Sequence, residues 1–432
     1  MTTPSPSRLS LILLTVAAFA VPALADSQAR IVRLSDIQGS VELDKNTGSG
    51  FEKAFVNLPI TQGTELRTGV SGRAEIEFED GSSMRLTPST TIQFSKLSLS
   101  DSGQRVSEIN LVEGMAYVNW LGKDSLSLNF SREKISLDRS AHFRVDASTE
   151  LANLAVFKGD VNVQGPGGEL SLEKKNTATF DVADNDKSSV ERKIAESPLD
   201  TWDKEAVSYH DQYAKNNNSP YGYGASDMSY YGAYSNVPGY GMMWQPYFTG
   251  VGWDPFMNGV WGFYPGYGYM YASAYPWGWL PYRYGTWAFA PGFGWGWQPG
   301  GWGTYLNAPI YRPTTLVRVN PLVVPAAGTT RTVTVGRVGT ASSFMPPRMT
   351  VKEGSAGMGI PRGSLSNLNH LNHQVTKAGF AEVHPAPAFA ASSPTRSSGG
   401  FSAPRSSPMS SSMGHSVPAG HASGSGSSAP HR

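Results

Sequence analysis

Ala74, Ile76 and Phe78 alternate with Glu75, Glu77 and Glu79, and Asp80-Gly81 follows at once. A strict period of two puts three apolar side chains on one side of the backbone and three carboxylates on the other, which is a strand with one buried face. A helix is excluded, because the same residues would scatter around its axis. Asp-Gly supplies the positive φ angles of a tight hairpin turn, and Met84 and Leu86 resume the alternation on the return strand. The carboxylates of these strands are expected to face solvent. Leu126, Leu128 and Phe130 form a further alternating set, as do Phe143 and Val145.

A weak repeat runs through the same part of the chain. Gln38-Gly39-Ser40-Val41, Glu113-Gly114-Met115-Ala116 and Lys158-Gly159-Asp160-Val161 each place a glycine just before a short alternating run. Turn-then-strand units of this kind suit an all-β roll or solenoid, in which neighbouring rungs bury each other's faces. The glycine spacing, 114 − 39 = 75 and then 159 − 114 = 45, speaks against a regular array.

Charge divides the rest of the chain. From residue 26 to 218 there are 22 basic and 30 acidic residues, a balance of 22 − 30 = −8. From 219 to 311 the charged residues are Asp227, Asp254 and Arg283 alone, and from 320 to 432 the balance is 9 − 2 = +7. The first 25 residues read as a signal peptide. Arg8 stands ahead of the apolar run Leu9 to Ala20, and Ala23-Leu24-Ala25 is a small-x-small cleavage pattern. The expectation is an exported protein of periplasm, outer surface or medium, with no membrane span in the mature chain. Zero cysteines exclude disulfides, thiolate metal sites and lipid attachment through a cysteine.

The β segment, 26–196, gives way at 197–218 to a helical period. Leu199, Trp202, Ala206, Tyr209 and Tyr213 step by three and four, the face of a short amphipathic helix that either caps the β unit or binds a partner. From 219 to 311 the chain is rich in Gly, Pro, Tyr and Trp. Nine of the 11 tryptophans lie between Trp244 and Trp302. Their flat faces suit stacking on sugars, on a protein partner or on one another. As a contact surface the residues are Trp277, Trp279, Tyr282, Tyr284, Trp287, Trp295 and Trp297, with Arg283 placed for cation–π stacking or for an anionic group. The alternative is that the rings pack on themselves. Nucleic acid is not expected, since one arginine makes no basic groove. Residues 312–338 hold short strands or linker, and the Ser/Pro/Gly/Ala-rich tail, 339–432, is expected to be disordered.

Thr61-Gln62-Gly63-Thr64-Glu65-Leu66-Arg67-Thr68-Gly69, then Gly72-Arg73-Ala74 through Asp80-Gly81-Ser82 and Met84-Arg85-Leu86, resembles the core signature of FecR-like domains. The resemblance runs from about Leu34 to Val163. It implies an extracytoplasmic, all-β, solenoid-like module, in the best-known members the periplasmic part of a transmembrane regulator of iron–siderophore uptake. That architecture has a sigma-factor-holding cytoplasmic segment and an internal span, neither of which is expected here, so the chain is more similar to secreted proteins carrying the module beside other envelope segments. The aromatic region is likewise similar to an uncharacterised Trp/Tyr-rich region that accompanies such domains. Gly69, Gly72, Asp80, Gly81, Arg85 and Leu86 are motif residues with structural roles, and the resemblance implies no catalytic residue.

No phosphate loop, nucleophile elbow or nucleotide fingerprint occurs, and His370 and His373 stand in an Asn- and Ser-rich context without carboxylate partners. The expectation is a non-enzymatic protein without metal or cofactor. It binds or scaffolds at the cell envelope, to a polysaccharide or a protein, with the aromatic region as contact surface. The alternative is a sensory or regulatory module acting on a membrane partner.

Overall fold

The alternating segments form a two-sheet β-roll. A computed structural model of the protein describes residues 30–184, 186–214, 222–302 and 348–384. Seventeen strands lie between Val32 and Glu191. The first sheet runs, in hydrogen-bonded order, through Pro59–Ile60, Val32–Gln38, Arg73–Glu77, Ser83–Leu86, the second half of Arg105–Trp120, Ala141–Ala147, Leu151–Lys158, Thr177–Asp181 and Lys187–Glu191. The second runs through Glu52–Lys53, Val41–Asp44, Glu65–Thr68, Thr91–Leu99, the first half of Arg105–Trp120, Ser125–Phe130, Glu133–Leu137, Asp160–Gly165 and Gly168–Glu173. The 16-residue strand Arg105–Trp120 therefore belongs to both.

The glycines of the weak repeat are the corners of this roll. Gly39, Gly114 and Gly159 all have positive φ (69°, 90° and 76°), and each stands where the chain leaves one sheet for the other. A Cβ at any of them would strike the backbone of a neighbouring turn. Their unequal spacing follows, because the corners recur with the wrapping of the chain rather than with a fixed rung length.

Between the sheets lies an apolar core. Val32, Leu34, Ile76, Met84, Val118 and Phe143 from the first sheet meet Leu43, Leu66, Ile92, Phe94, Ile109, Leu128 and Val163 from the second. The helix α1 (Asp200–Ala214) lies on the outside of the first sheet. Beyond it, α2 (Ala225–Tyr231) leads into a four-stranded sheet ordered Gly232–Val237, Gly241–Pro246, Gly294–Trp302, Tyr284–Ala290, and into a separate hairpin of Gly259–Tyr264 with Gly268–Ser273.

One expectation about the tail is corrected. Residues 348–384 are folded: Met349–Lys352 pairs with Phe380–Val383, and between them α3 (Leu368–Ala378) is capped by the Asn367 side chain, which accepts from the His370 N–H at 2.9 Å. Leu368, Leu371 and Val375 step by three and four and bury against the aromatic residues, a helical period diluted by the surrounding Asn, Gly and Ser. The stretch expected to be a signal peptide, residues 303–347 with the whole of the 312–338 segment, and residues 385–432 lie outside the described residues. Among the described residues, no helix is long and apolar enough to cross a membrane.

Candidate functional site: a buried charge cluster under an open cleft

Cross-strand register lines up a polar ladder on the outer face of the first sheet. Glu75 pairs with Arg85, Arg85 with Tyr117 and Tyr117 with Arg144, while the adjacent row runs Arg33, Glu77, Ser83, Asn119, His142. This face is covered by α1, by α2 and by the 359–364 loop. Glu75 and Glu77 are buried (2% and 1% exposed), which corrects the expectation that the strand's acids face solvent. The alternation did divide the strand into two faces; both are inside.

Glu75, Glu77, Arg33, Arg85, Asp203 and Asp227 are each met by opposite charge, most of it from other segments. Glu75 Oε1 accepts from Ser35 Oγ (2.7 Å), Arg362 Nη1 (2.7 Å) and His210 Nε2 (3.0 Å), and its Oε2 accepts from Arg85 Nε (2.9 Å). Arg85 continues to Asp203 on α1 at 2.7 Å, and the other oxygen of Asp203 meets His142 Nε2 at 2.7 Å. Asp227 on α2 binds Arg33 and Arg362, both at 2.6 Å, and accepts from the Tyr209 hydroxyl at 2.8 Å. Glu77 accepts from Arg33 (3.1 Å) and from the Gly224 N–H (3.0 Å). Burial alone would raise the Glu75 pKa, but His210, Arg85 and Arg362 together hold it well below the usual carboxylate range. Burial likewise opposes protonation of His210, yet the Glu75 charge and hydrogen bond, with Glu77 behind them, raise its pKa. Above the cluster opens a cleft of about 740 Å³, walled by Trp202, Tyr209 and Tyr213 on α1 and by the 359–364 loop, with Asp36 and Gln38 on its floor.

The aromatic residues named as a contact surface are a core instead. Trp277, Trp279, Tyr282 and Arg283 are 0% exposed, and Tyr284, Trp287 and Trp297 are also buried; Trp295 is half-buried. Trp277 stacks on Tyr275 at 4.9 Å, and its indole N–H donates to the Ala356 carbonyl at 2.7 Å. The Trp297 N–H donates to Tyr284 O at 2.7 Å, and the Tyr223 and Tyr284 hydroxyls meet at 3.0 Å. Trp287 meets Trp253 edge-on at 5.9 Å. Arg283 lies over Trp279 (4.6 Å) and donates to Tyr271 O at 2.6 Å, so its cation–π contact is internal. The chain closes the rings on one another because a segment with three charges and few aliphatic residues has no other apolar material to bury. Among the described residues there, Tyr240, Phe263, Tyr269 and Phe289 are the large rings that remain exposed.

The motif residues hold the turn and the cluster. Asp80 Oδ1 and Oδ2 accept from the Ser82 N–H and hydroxyl, both at 2.8 Å, and Gly81 takes a φ of 92°. Gly69 and Gly72 form a turn pressed against Ser40 beside the Gly39 corner, Leu86 is core, and Arg85 is the cluster's centre. Arg33, His210, Asp203 and Arg362 carried no signal in the sequence, because the cluster joins residues up to 287 positions apart. Asp227 did carry one, as one of two acids in an almost uncharged segment. Among the described residues, no three His, Asp or Glu side chains gather as a metal site.

A comparison with curated proteins finds no match. Two crystal structures of a candidate anti-sigma factor from Parabacteroides distasonis ATCC 8503, at 1.65 and 2.50 Å, are similar at 19% and 17% identity. The similarity covers 32% and 34% of this chain and 63% and 71% of those chains, with a TM-score of 0.27 in both cases. Residues 64–162 match the family FecR protein, and residues 225–320 match a family of unknown function, DUF6600. The chain thus carries a FecR domain followed by a DUF6600 region, and the charge cluster lies where the two meet.

Proposed function

We propose that the protein is an exported, non-catalytic regulatory module of FecR type, in which β-roll, α1 and aromatic lobe act as one body on a membrane partner. The observation that carries this reading is the charge cluster. It locks the strand of the FecR motif, through Glu75 and Arg85, to α1, to the DUF6600 region and to the 348–384 segment. A force or ligand acting on any of these elements is felt by the motif strand. The signal-like stretch at residues 1–25 supports export. The envelope-polymer scaffold loses its main support, since the rings it relied on are buried.

The Gly69–Gly72 turn presents Val70 almost fully to solvent, on the FecR motif itself. A photo-crosslinking residue at Val70 in the full chain, activated in living cells, is expected to capture an integral membrane protein. Capture of envelope polysaccharide alone, or of nothing, sinks the regulatory reading.

A further inference from the structure

The floor of the cleft above the charge cluster carries a carboxylate that the cluster does not use. In the strand Val32–Gln38 the register against Arg73–Glu77 steps from Leu34↔Ile76 to Asp36↔Glu75, so Ser35 is the extra residue of a β-bulge. The bulge breaks the alternation of the strand. Ser35 donates to Glu75 on the outer face of the sheet, and Asp36, the next residue, lines the cleft on that same face. Two acids, Asp36 and Glu75, thus stand directly opposite each other on neighbouring strands, an arrangement that is destabilising by itself.

Glu75 is neutralised by Arg85, Arg362 and His210. Asp36 is not. Its Oδ2 accepts from the Gln38 amide at 3.2 Å, and among the described residues no donor reaches Oδ1 and no cation pairs with the group. Burial raises the Asp36 pKa, and the charge of Arg362, engaged by Glu75 and Asp227, offsets that only in part. On the α1 wall of the cleft, Glu205 is exposed and likewise has no ion pair among the described residues. Two rings of that wall already lie beneath cations of the protein itself, Trp202 under Arg73 at 5.4 Å and Tyr209 under Arg362 at 5.6 Å. Tyr213, half-buried, is the third.

We propose that this cleft binds a primary ammonium group on an alkyl stem, as a lysine side chain or a free polyamine carries it. Asp36 is the counter-ion, Glu205 a second, outer acid, and the α1 rings pack on the stem. The open Oδ1 suits a compact ammonium, whereas a guanidinium presents two parallel donors and needs both carboxylate oxygens, one of which Gln38 holds. The consequence of binding rests on the regulatory reading: a ligand at Asp36 lies beside Glu75 and between α1 and the 359–364 loop, the elements that the cluster ties to the FecR motif.

The test is calorimetric titration of the purified full chain with cadaverine and with the peptide acetyl-Ala-Lys-Ala-amide, beside peptides carrying norleucine or arginine in place of the lysine. Asp36→Asn is expected to weaken binding about tenfold or more, and to melt at or above the wild type because the amide ends the opposition to Glu75. Glu205→Gln, at an exposed position, should weaken it by at most about fivefold. Binding of cadaverine alone assigns the site to free amines, and binding of the lysine peptide alone assigns it to a side chain of a protein partner; either supports the proposal. No saturation by either at about 10 mM overturns it. Equal binding of the norleucine peptide, or undiminished binding by Asp36→Asn, overturns the ion pair, and equal binding of the arginine peptide overturns the preference for ammonium. The titration does not depend on the crosslink at Val70, so a failed titration beside a captured membrane protein leaves the regulatory reading standing, and the reverse holds.

Discussion

Removing the Glu75 carboxylate from water is costly, and the side chain is held in place by four donors, three of them on cationic or protonatable groups. Taking the carboxylate away does not return those groups to water. Among the described residues, Arg85, fully buried, retains its ion pair with Asp203, and Arg362 retains its ion pair with Asp227. Glu75→Ala is therefore expected to destabilise the protein by about 3–5 kcal/mol, the cost of removing one partner from a buried ion pair. A solvent-facing glutamate in the same strand would cost under about 0.5 kcal/mol. Denaturant unfolding of the variant separates the two, and a loss under 1 kcal/mol would show that the cluster relaxes onto other partners.

At the scale of elements, α1 is attached to the roll by charge as well as by apolar contact. Trp202 and Tyr209 bury beside Asp203, while His210 reaches both Glu75 (3.0 Å) and Ser226 (3.1 Å). The raised His210 pKa means that the folded protein binds its proton more tightly than the unfolded chain. The stabilisation is complete below the ordinary histidine range and is lost as pH rises through the raised value. The Tm is expected to fall as pH rises from the ordinary histidine range through that raised value, and His210→Gln should flatten the slope. An identical slope in the variant would place the titration elsewhere. The helix itself was legible in the three-four spacing of Leu199, Trp202, Ala206 and Tyr209, and the roll in the alternation around Ile76. What covers an alternating strand was not legible, because period two divides a strand into faces without naming their neighbours. The residues that cover Glu75 from outside its sheet, His210 and Arg362, come from α1 and from the 359–364 loop, at separations that no local pattern encodes.

Across the whole molecule, the aromatic lobe is completed by a segment that composition alone assigns to a solvated tail. Ala356 accepts the Trp277 N–H, Ile360 accepts from the Tyr231 hydroxyl at 2.7 Å, and Met349, Val351, Leu371 and Val375 belong to the same core as the tryptophans. Arg362, from the same stretch, closes the charge cluster on Glu75 and Asp227. A chain ending at residue 347 would lose these partners together: an indole N–H and a phenol left buried, two carboxylates short of a cation, and a ring core opened to water. It is expected to keep the β-roll's far-UV signature while losing the near-UV dichroism of its fixed tryptophans. A chain ending at Phe389 retains all of these contacts and should melt with the full-length protein. Equal near-UV spectra for the two truncations would mean that the lobe packs without the 348–384 segment, and the cluster would then need another cation in the place of Arg362.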